Sequence, residues 1–165
     1  MSAAHCNFYY GSDDLIPASE IVVVVAEHHQ FNFSDGIEHE ITRYTNHPQY
    51  NSQTGDYDFS MLHLTLPVEL GDRAVPACLP DLRFSDDKLV GKNLTVSGWG
   101  ALDGPGTEFP KVLQTVDLPV VSQDYCRKAY LPYGWKIENS MICAGYSTGG
   151  KDSCGGDSGG RVVIF

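Results

Sequence analysis

One segment of this chain, Gly156-Asp157-Ser158-Gly159-Gly160, points directly to a reaction. It satisfies G-x-S-x-G, where flanking glycines let a serine sit on a tight turn that a substrate can approach closely. A serine hydroxyl is a weak nucleophile at neutral pH and needs a base within hydrogen-bond reach, itself oriented by a third group. Chain order separates the scaffolds that could supply those partners. An α/β-hydrolase places its acid and its histidine after the serine. Only seven residues follow Ser158, and none is acidic or a histidine, so that arrangement is excluded. The opposite order is present in His5, Asp58 and Ser158.

At these residues the chain resembles the trypsin/chymotrypsin-like serine peptidases. The resemblance covers the whole sequence, because Ala77-Cys78-Leu79-Pro80, Gly98-Trp99-Gly100, Met141-Ile142-Cys143-Ala144-Gly145 and Lys151-Asp152-Ser153-Cys154 follow in the family's order. It implies His5 as general base, Asp58 as the group that holds the imidazole, and Ser158 as the residue that forms an acyl-enzyme. The backbone N–H groups of Gly156 and Ser158 would form the oxyanion hole. Asp58 is preferred over Asp56 because it directly precedes the apolar run Phe59–Leu66, as the family's triad Asp does; Asp56 is then a solvated loop residue. Asp152 would sit at the base of the primary pocket and select Arg or Lys.

Asp157 would pair with an amino terminus made by zymogen cleavage. The Ile-Val-Gly-Gly type of start that should precede His5 is absent, so this chain alone is expected to be locked out of the active state. Two departures stand beside the nucleophile: Arg161 replaces the family's usual Pro, and Gly155 replaces a bulkier polar residue. The competing reading is a non-catalytic peptidase homologue serving as a binding module. Such homologues usually lose the Ser or the His, and both are present here.

The elements that must position these groups read as short strands. Ile21–Ala26 is β-branched and apolar, as expected of a strand buried on both faces. Glu27–Glu40 reads as a polar loop or hairpin with a turn at Asp35-Gly36. Met61–Leu66, Asn93–Ser97 and Leu113–Val121 read as strands, and Val68–Gly91 as irregular. Ser122 is an N-cap candidate over one short helix reaching about Tyr130. The expected architecture is all-β: two antiparallel Greek-key barrels, incomplete at both termini. Residues 1–70 would form one partial barrel, 71–91 the connector and 92–165 the other partial barrel.

Composition supports this class. The chain has 165 residues, 42% hydrophobic and 19% charged, too apolar for a disordered chain. Its 17 glycines and 9 prolines favour turn-rich β structure over a helical bundle. A net charge of −10 argues against a nucleic-acid partner. The apolar run Ile21–Ala26 is far short of a membrane span of roughly 20 residues. Protein or peptide substrates and protein protease inhibitors are the partners implied by the resemblance, with an extracellular location. Met1-Ser2-Ala3-Ala4-His5-Cys6 carries no signal peptide.

The remaining candidates are ligands and cysteines. Glu27, Asp35 and Glu38 resemble the family's calcium loop and offer hard oxygen ligands; no cofactor is required. His28, His29 and His39 lack the spacing of a zinc helix, so no metal site is secure. Sequons occur at Asn32 and Asn93, the latter expected to be poorly accessible at a strand start. The 5 cysteines are an odd number. The resemblance pairs Cys126 with Cys143 and leaves Cys6, Cys78 and Cys154 with partners beyond this chain. Both ends therefore read as cut.

Overall fold

The computed structural model describes residues 1–31, 35–80 and 86–164. Among them, two antiparallel three-stranded sheets carry the fold. In the first half β1 (Val22–Val25), β2 (Ile37–Asn46) and β3 (Ser60–Leu64) neighbour one another in chain order. In the second half β4 (Asn93–Gly98) is central, with β5 (Gln114–Pro119) on one side and β6 (Val162–Val163) on the other.

One expectation about the first half needs correction. The β-branched run is a strand, but it is not buried on both faces: Val22 remains 51% exposed. β1 pairs only with β2, so it is an edge strand with an uncovered side. The polar stretch Glu27–Glu40 takes its hairpin form, because β2 begins at Ile37, runs ten residues and pairs antiparallel with β1. Its charged residues face outward while Ile41 is buried. An irregularity between Ile41 and Arg43 then shifts the alternation, so that Tyr44 and Asn46 become the partly buried positions. An extra residue in one strand does this because side chains alternate with a period of two.

The second half packs around Leu89, Leu94 and Val120, with Ala144 against them. Leu89 explains a second correction: the connector is not wholly irregular, because α1 (Asp86–Leu89) forms there and delivers that side chain to the core. The one short helix expected in the second half is present as well. α2 (Gln123–Tyr130) starts where its capping residue predicts, with Ser122 Oγ accepting from the Tyr125 N–H at 3.2 Å. Its buried residue is Cys126, joined by a disulfide to Cys143. Cys6, Cys78 and Cys154 are free thiols. No described helix is long and apolar enough to cross a membrane.

The halves are stitched together by backbone. The Gln30 N–H donates to Lys111 O and the Leu113 N–H to His28 O, both at 2.9 Å. The Ser140 hydroxyl donates to Asp56 and accepts from the Tyr57 N–H. Asp56 is thus a tie between the halves and not a solvated loop residue. Losing a serine N-cap costs about 1 kcal/mol. Ser122→Ala should lower the unfolding free energy by that amount, read as a smaller urea midpoint with unchanged m-value.

Candidate active site

His5 and Asp58 are far apart in sequence and meet by two hydrogen bonds. The His5 main-chain N–H donates to Asp58 Oδ1 at 2.8 Å, and ring Nδ1 lies 2.6 Å from Asp58 Oδ2. Binding both the backbone and the ring of one residue leaves the imidazole little rotational freedom. It also holds the proton on Nδ1, so Nε2 is the basic nitrogen.

Neighbouring segments hold that pair in place. The Ser2 N–H donates to Ser60 O, and the Ser60 N–H to Ser2 O, pinning the first residues onto β3. Asn7 and Ser60 are the most deeply buried polar side chains described. Asn7 Nδ2 donates to Ser60 Oγ at 2.8 Å and to Asn46 Oδ1 at 2.6 Å, so the burial is compensated. Tyr57, immediately before Asp58, has φ +52°, a left-handed conformation rare outside glycine. Its ring stacks on His47 with centroids 4.7 Å apart, which helps hold the turn that aims Asp58.

Ser158 lies on the turn that leads into β6. An added Cβ at Gly159 would lie 3.3 Å from both Ala3 N and Cys6 Sγ, so this turn abuts the segment carrying His5. The fold therefore places the turn that carries Ser158 beside the segment that carries His5, and no hydrogen bond joins Ser158 Oγ to His5 among the described residues. His5 Nε2 instead lies 3.7 Å from Cys6 Sγ. Burial pushes the Cys6 thiol up, against a hydrogen bond with Ser2, and the Asp58 charge adds to the rise. The thiol thus stays neutral. Gly156 has φ +102°, and neither its N–H nor that of Ser158 has a protein acceptor among the described residues. Free, exposed N–H groups on a glycine turn are suitable donors to a developing oxyanion.

Asp157 has a role that the sequence pattern did not disclose. Its Oδ1 accepts from the Gly100 N–H at 2.7 Å and its Oδ2 from the Cys154 N–H at 2.9 Å. A Cβ at Gly98 or Gly100 would collide with this carboxylate. The two glycines of Gly98-Trp99-Gly100 therefore make room for Asp157, and Trp99 Nε1 donates to His28 O at 3.2 Å. Arg161 fits without disruption, its carbonyl accepting from the Ser97 N–H as the chain enters β6.

Asp152 is exposed, and its Oδ1 accepts only from the Ser153 N–H at 2.8 Å. It lines a cleft of about 690 Å³ that also touches Gly98, Gly100 and Asp157.

The expected calcium ligands do not all converge. Both carboxylate oxygens of Glu27 and one of Asp35 are buried without a hydrogen-bond partner, a donor set that fits a hard cation. Lost hydration, and then the neighbouring Asp35 charge, hold Glu27 above the usual carboxylate range. Asp35 is held lower, chiefly by its hydrogen bond with His29. Glu38 is no part of this set, because it is an exposed residue of β2 paired opposite Val24. Among the described residues no three His, Cys, Asp or Glu groups gather as a metal site. The Asn32 sequon lies outside the described residues, whereas Asn93 is exposed rather than hidden.

A family model, Trypsin, matches residues 1–164. The chain belongs to the trypsin family of serine proteases. The chain is 40% identical to Serine protease 1 of Rattus norvegicus over 165 residues, which is 99% of this chain and 60% of that protein. It is 37% identical to Trypsin-3 of Salmo salar, over 99% of this chain and 62% of the relative. Serine proteinase stubble of Drosophila melanogaster is 39% identical over 98% of this chain, but only 20% of that protein is covered. The chain thus spans between a fifth and about three fifths of these relatives. The trypsin-family domain is a double β-barrel, and the two sheets, left open here, are its strands. Members of the trypsin family need no cofactor, calcium being an extra in some.

Crowding a close-packed site costs about 1–3 kcal/mol. Gly98→Ala should destabilise the chain by that amount in chemical denaturation. Asp157→Asn should cost less, because the amide keeps one acceptor for the Gly100 N–H.

Proposed function

We propose that a protein carrying this chain is a trypsin-like serine endopeptidase that cleaves after Arg or Lys through an acyl-enzyme. The observation that carries this reading is the two-point hold of Asp58 on His5, with the Ser158 turn packed alongside. In the reaction Ser158 Oγ attacks the scissile carbonyl as His5 Nε2 takes its proton. The Gly156 and Ser158 N–H groups stabilise the oxyanion. The C–N bond then breaks, with His5 protonating the leaving amine, and water hydrolyses the acyl-enzyme by the same groups in turn. Asp58 keeps the imidazole in the required tautomer and stabilises the imidazolium.

Asp152, with no cationic partner among the described residues, receives the substrate Arg or Lys. Residues 1–70 and 92–165 act as partial barrels joined by 71–91. Protein substrates and protein inhibitors meet the enzyme outside the cell, where the Cys126–Cys143 disulfide persists. The protein is made as a zymogen. The 165-residue chain alone is inactive, because Ser158 is not engaged by His5.

Labelling with a fluorophosphonate tests the mechanism. A longer polypeptide carrying this chain should label at Ser158, and the isolated chain should not. His5→Ala should lower kcat/KM at least about a hundredfold. Absence of labelling in the longer polypeptide would sink the enzyme reading in favour of a binding module. Removing one side of a buried charge pair costs at least about 2 kcal/mol, or roughly thirtyfold. Asp152→Ser should lose Arg and Lys cleavage by that factor in a chromogenic peptide panel; preference for Phe or Leu in the parent would refute the assignment.

Calcium binds Glu27 and Asp35 as a stabilising extra. Added calcium should raise the melting temperature of the parent. Glu27→Gln, which removes an unpaired buried charge, should melt higher without calcium and respond to it far less. An unchanged calcium response in Glu27→Gln would exclude this site.

A further inference from the structure

Asn93-Leu94-Thr95 is a sequon that the peptidase chemistry leaves unused. Such a triplet carries a glycan only if its amide is reachable and the finished fold has room for a bulky group. The start of β4 meets both conditions. Asn93 is the first residue of the strand, and Leu94 beside it is buried in the core of the second half. Side chains alternate along a strand, so Asn93 and Thr95 share the opposite face. Asn93 is exposed there, and its side chain has no hydrogen-bond partner among the described residues.

The neighbours of Asn93 leave it open. Its register partner on β5 is Pro119, whose ring makes no hydrogen-bond demand on the amide. β6 pairs only with Thr95 and Val96, so it stops short of Asn93. Ahead of the strand, the Gly91 N–H donates to Val120 O and the Lys92 N–H to Leu89 O. A Cβ added at Gly91 would meet nothing within 4 Å, so that turn borders open space. Gly98, beside Asp157, lies at the other end of β4, roughly 16 Å away at about 3.3 Å per residue. A glycan on Asn93 is therefore attached at the end of the strand remote from the anchor of the Ser158 turn.

Thr95 sets the time at which the triplet can be used. Its Oγ1 donates to Asp117 Oδ1 at 2.6 Å across the strand pair. The sequon is defined by that hydroxyl as much as by the amide, so an enzyme reading it must reach both. In the folded chain Asp117 holds the hydroxyl, and β4 lies between β5 and β6. Both of those strands come later in the chain, so the triplet is free while the polypeptide is still growing.

We propose that Asn93 carries an N-linked oligosaccharide, added to the growing chain before β4 pairs with β5. Asn93 Nδ2 forms a bond to the anomeric carbon of the first N-acetylglucosamine of a lipid-pyrophosphate-linked oligosaccharide. The bond from that carbon to the pyrophosphate oxygen breaks, and the amide proton passes to the released pyrophosphate. Nothing is oxidised or reduced. The assignment rests on the extracellular location in the reading above, because the donor is met on the export route.

The test uses the longer polypeptide carrying this chain, secreted from eukaryotic cells. An amidase that releases N-glycans leaves Asp where a glycosylated Asn stood, so peptide mapping reads each sequon separately. The peptide containing residue 93 should lose the mass of one glycan on release and be recovered with Asp. Asn93→Gln and Thr95→Ala should each lack that glycan, whereas Thr95→Ser, which keeps the hydroxyl, should retain it. A secreted parent with unmodified Asn93 overturns the proposal, and mapping of the parent decides it even where a variant is not exported. A glycan absent from pulse-labelled ribosome-bound chains, and present only on completed ones, overturns the timing. Retention of the polypeptide inside the cell overturns the site together with the extracellular location. Fluorophosphonate labelling reads the peptidase chemistry by itself, so failure there is distinct from a bare Asn93.

Discussion

The structure depends on one carboxylate accepting two hydrogen bonds from one residue. Asp58 takes the main-chain N–H and the ring nitrogen of His5, across 53 positions of sequence. Closing so long a loop costs entropy that grows only slowly with its length, so the cost is set mainly by how well the contact is prepared. Here the preparation is extensive. The Ser2–Ser60 backbone pair aligns the first residues with β3, and the Asn7–Ser60–Asn46 hydrogen bonds fix their depth. The left-handed Tyr57 then turns Asp58 toward the ring. Among the described residues, none of the buried polar side-chain atoms without a hydrogen-bond partner lies in these segments.

A second carboxylate organises the nucleophile side. Asp157 reaches into space left by the missing side chains of Gly98 and Gly100, and takes N–H groups from both Gly100 and Cys154. The turn bearing Ser158 is thereby anchored to the end of β4, while β6 pairs with the same strand. The geometry of the turn is thus inherited from the central strand of the second sheet. Because Trp99 also reaches His28 and the His28–Gln30 backbone meets Lys111–Leu113, the two halves are locked in one orientation through the same region.

Much of this was legible in the residues. β3, β4, β5 and α2 lie close to where turn signals and apolar runs place them, and Ser122 caps α2 as its type predicts. β2 was hidden because its exposed face is charged and its alternation is interrupted after Ile41, which breaks the period that reveals a strand. α1 was hidden because four residues are too few to show a helical period. β1 read as fully buried because a run of valines looks alike in a central strand and at an uncovered edge. Glu38 read as a loop ligand for the same reason that β2 was missed.

What the sequence determined by itself was chemical: the residue types His, Asp and Ser in that order, glycines around the serine, and motifs that identify the family. Order along the chain suffices there, because reaction chemistry is set by functional groups. Only the tertiary structure decided which groups meet. It made Asp56 a tie to Ser140 rather than a solvated loop residue, and gave the Gly98 and Gly100 vacancies to Asp157. It also left Cys6 Sγ 3.7 Å from His5 Nε2 and put Glu38 on β2, apart from the buried oxygens of Glu27 and Asp35. Such choices turn on differences of a few ångströms between side chains that neighbour one another in sequence. Those distances come from strand register and packing, which no local pattern encodes.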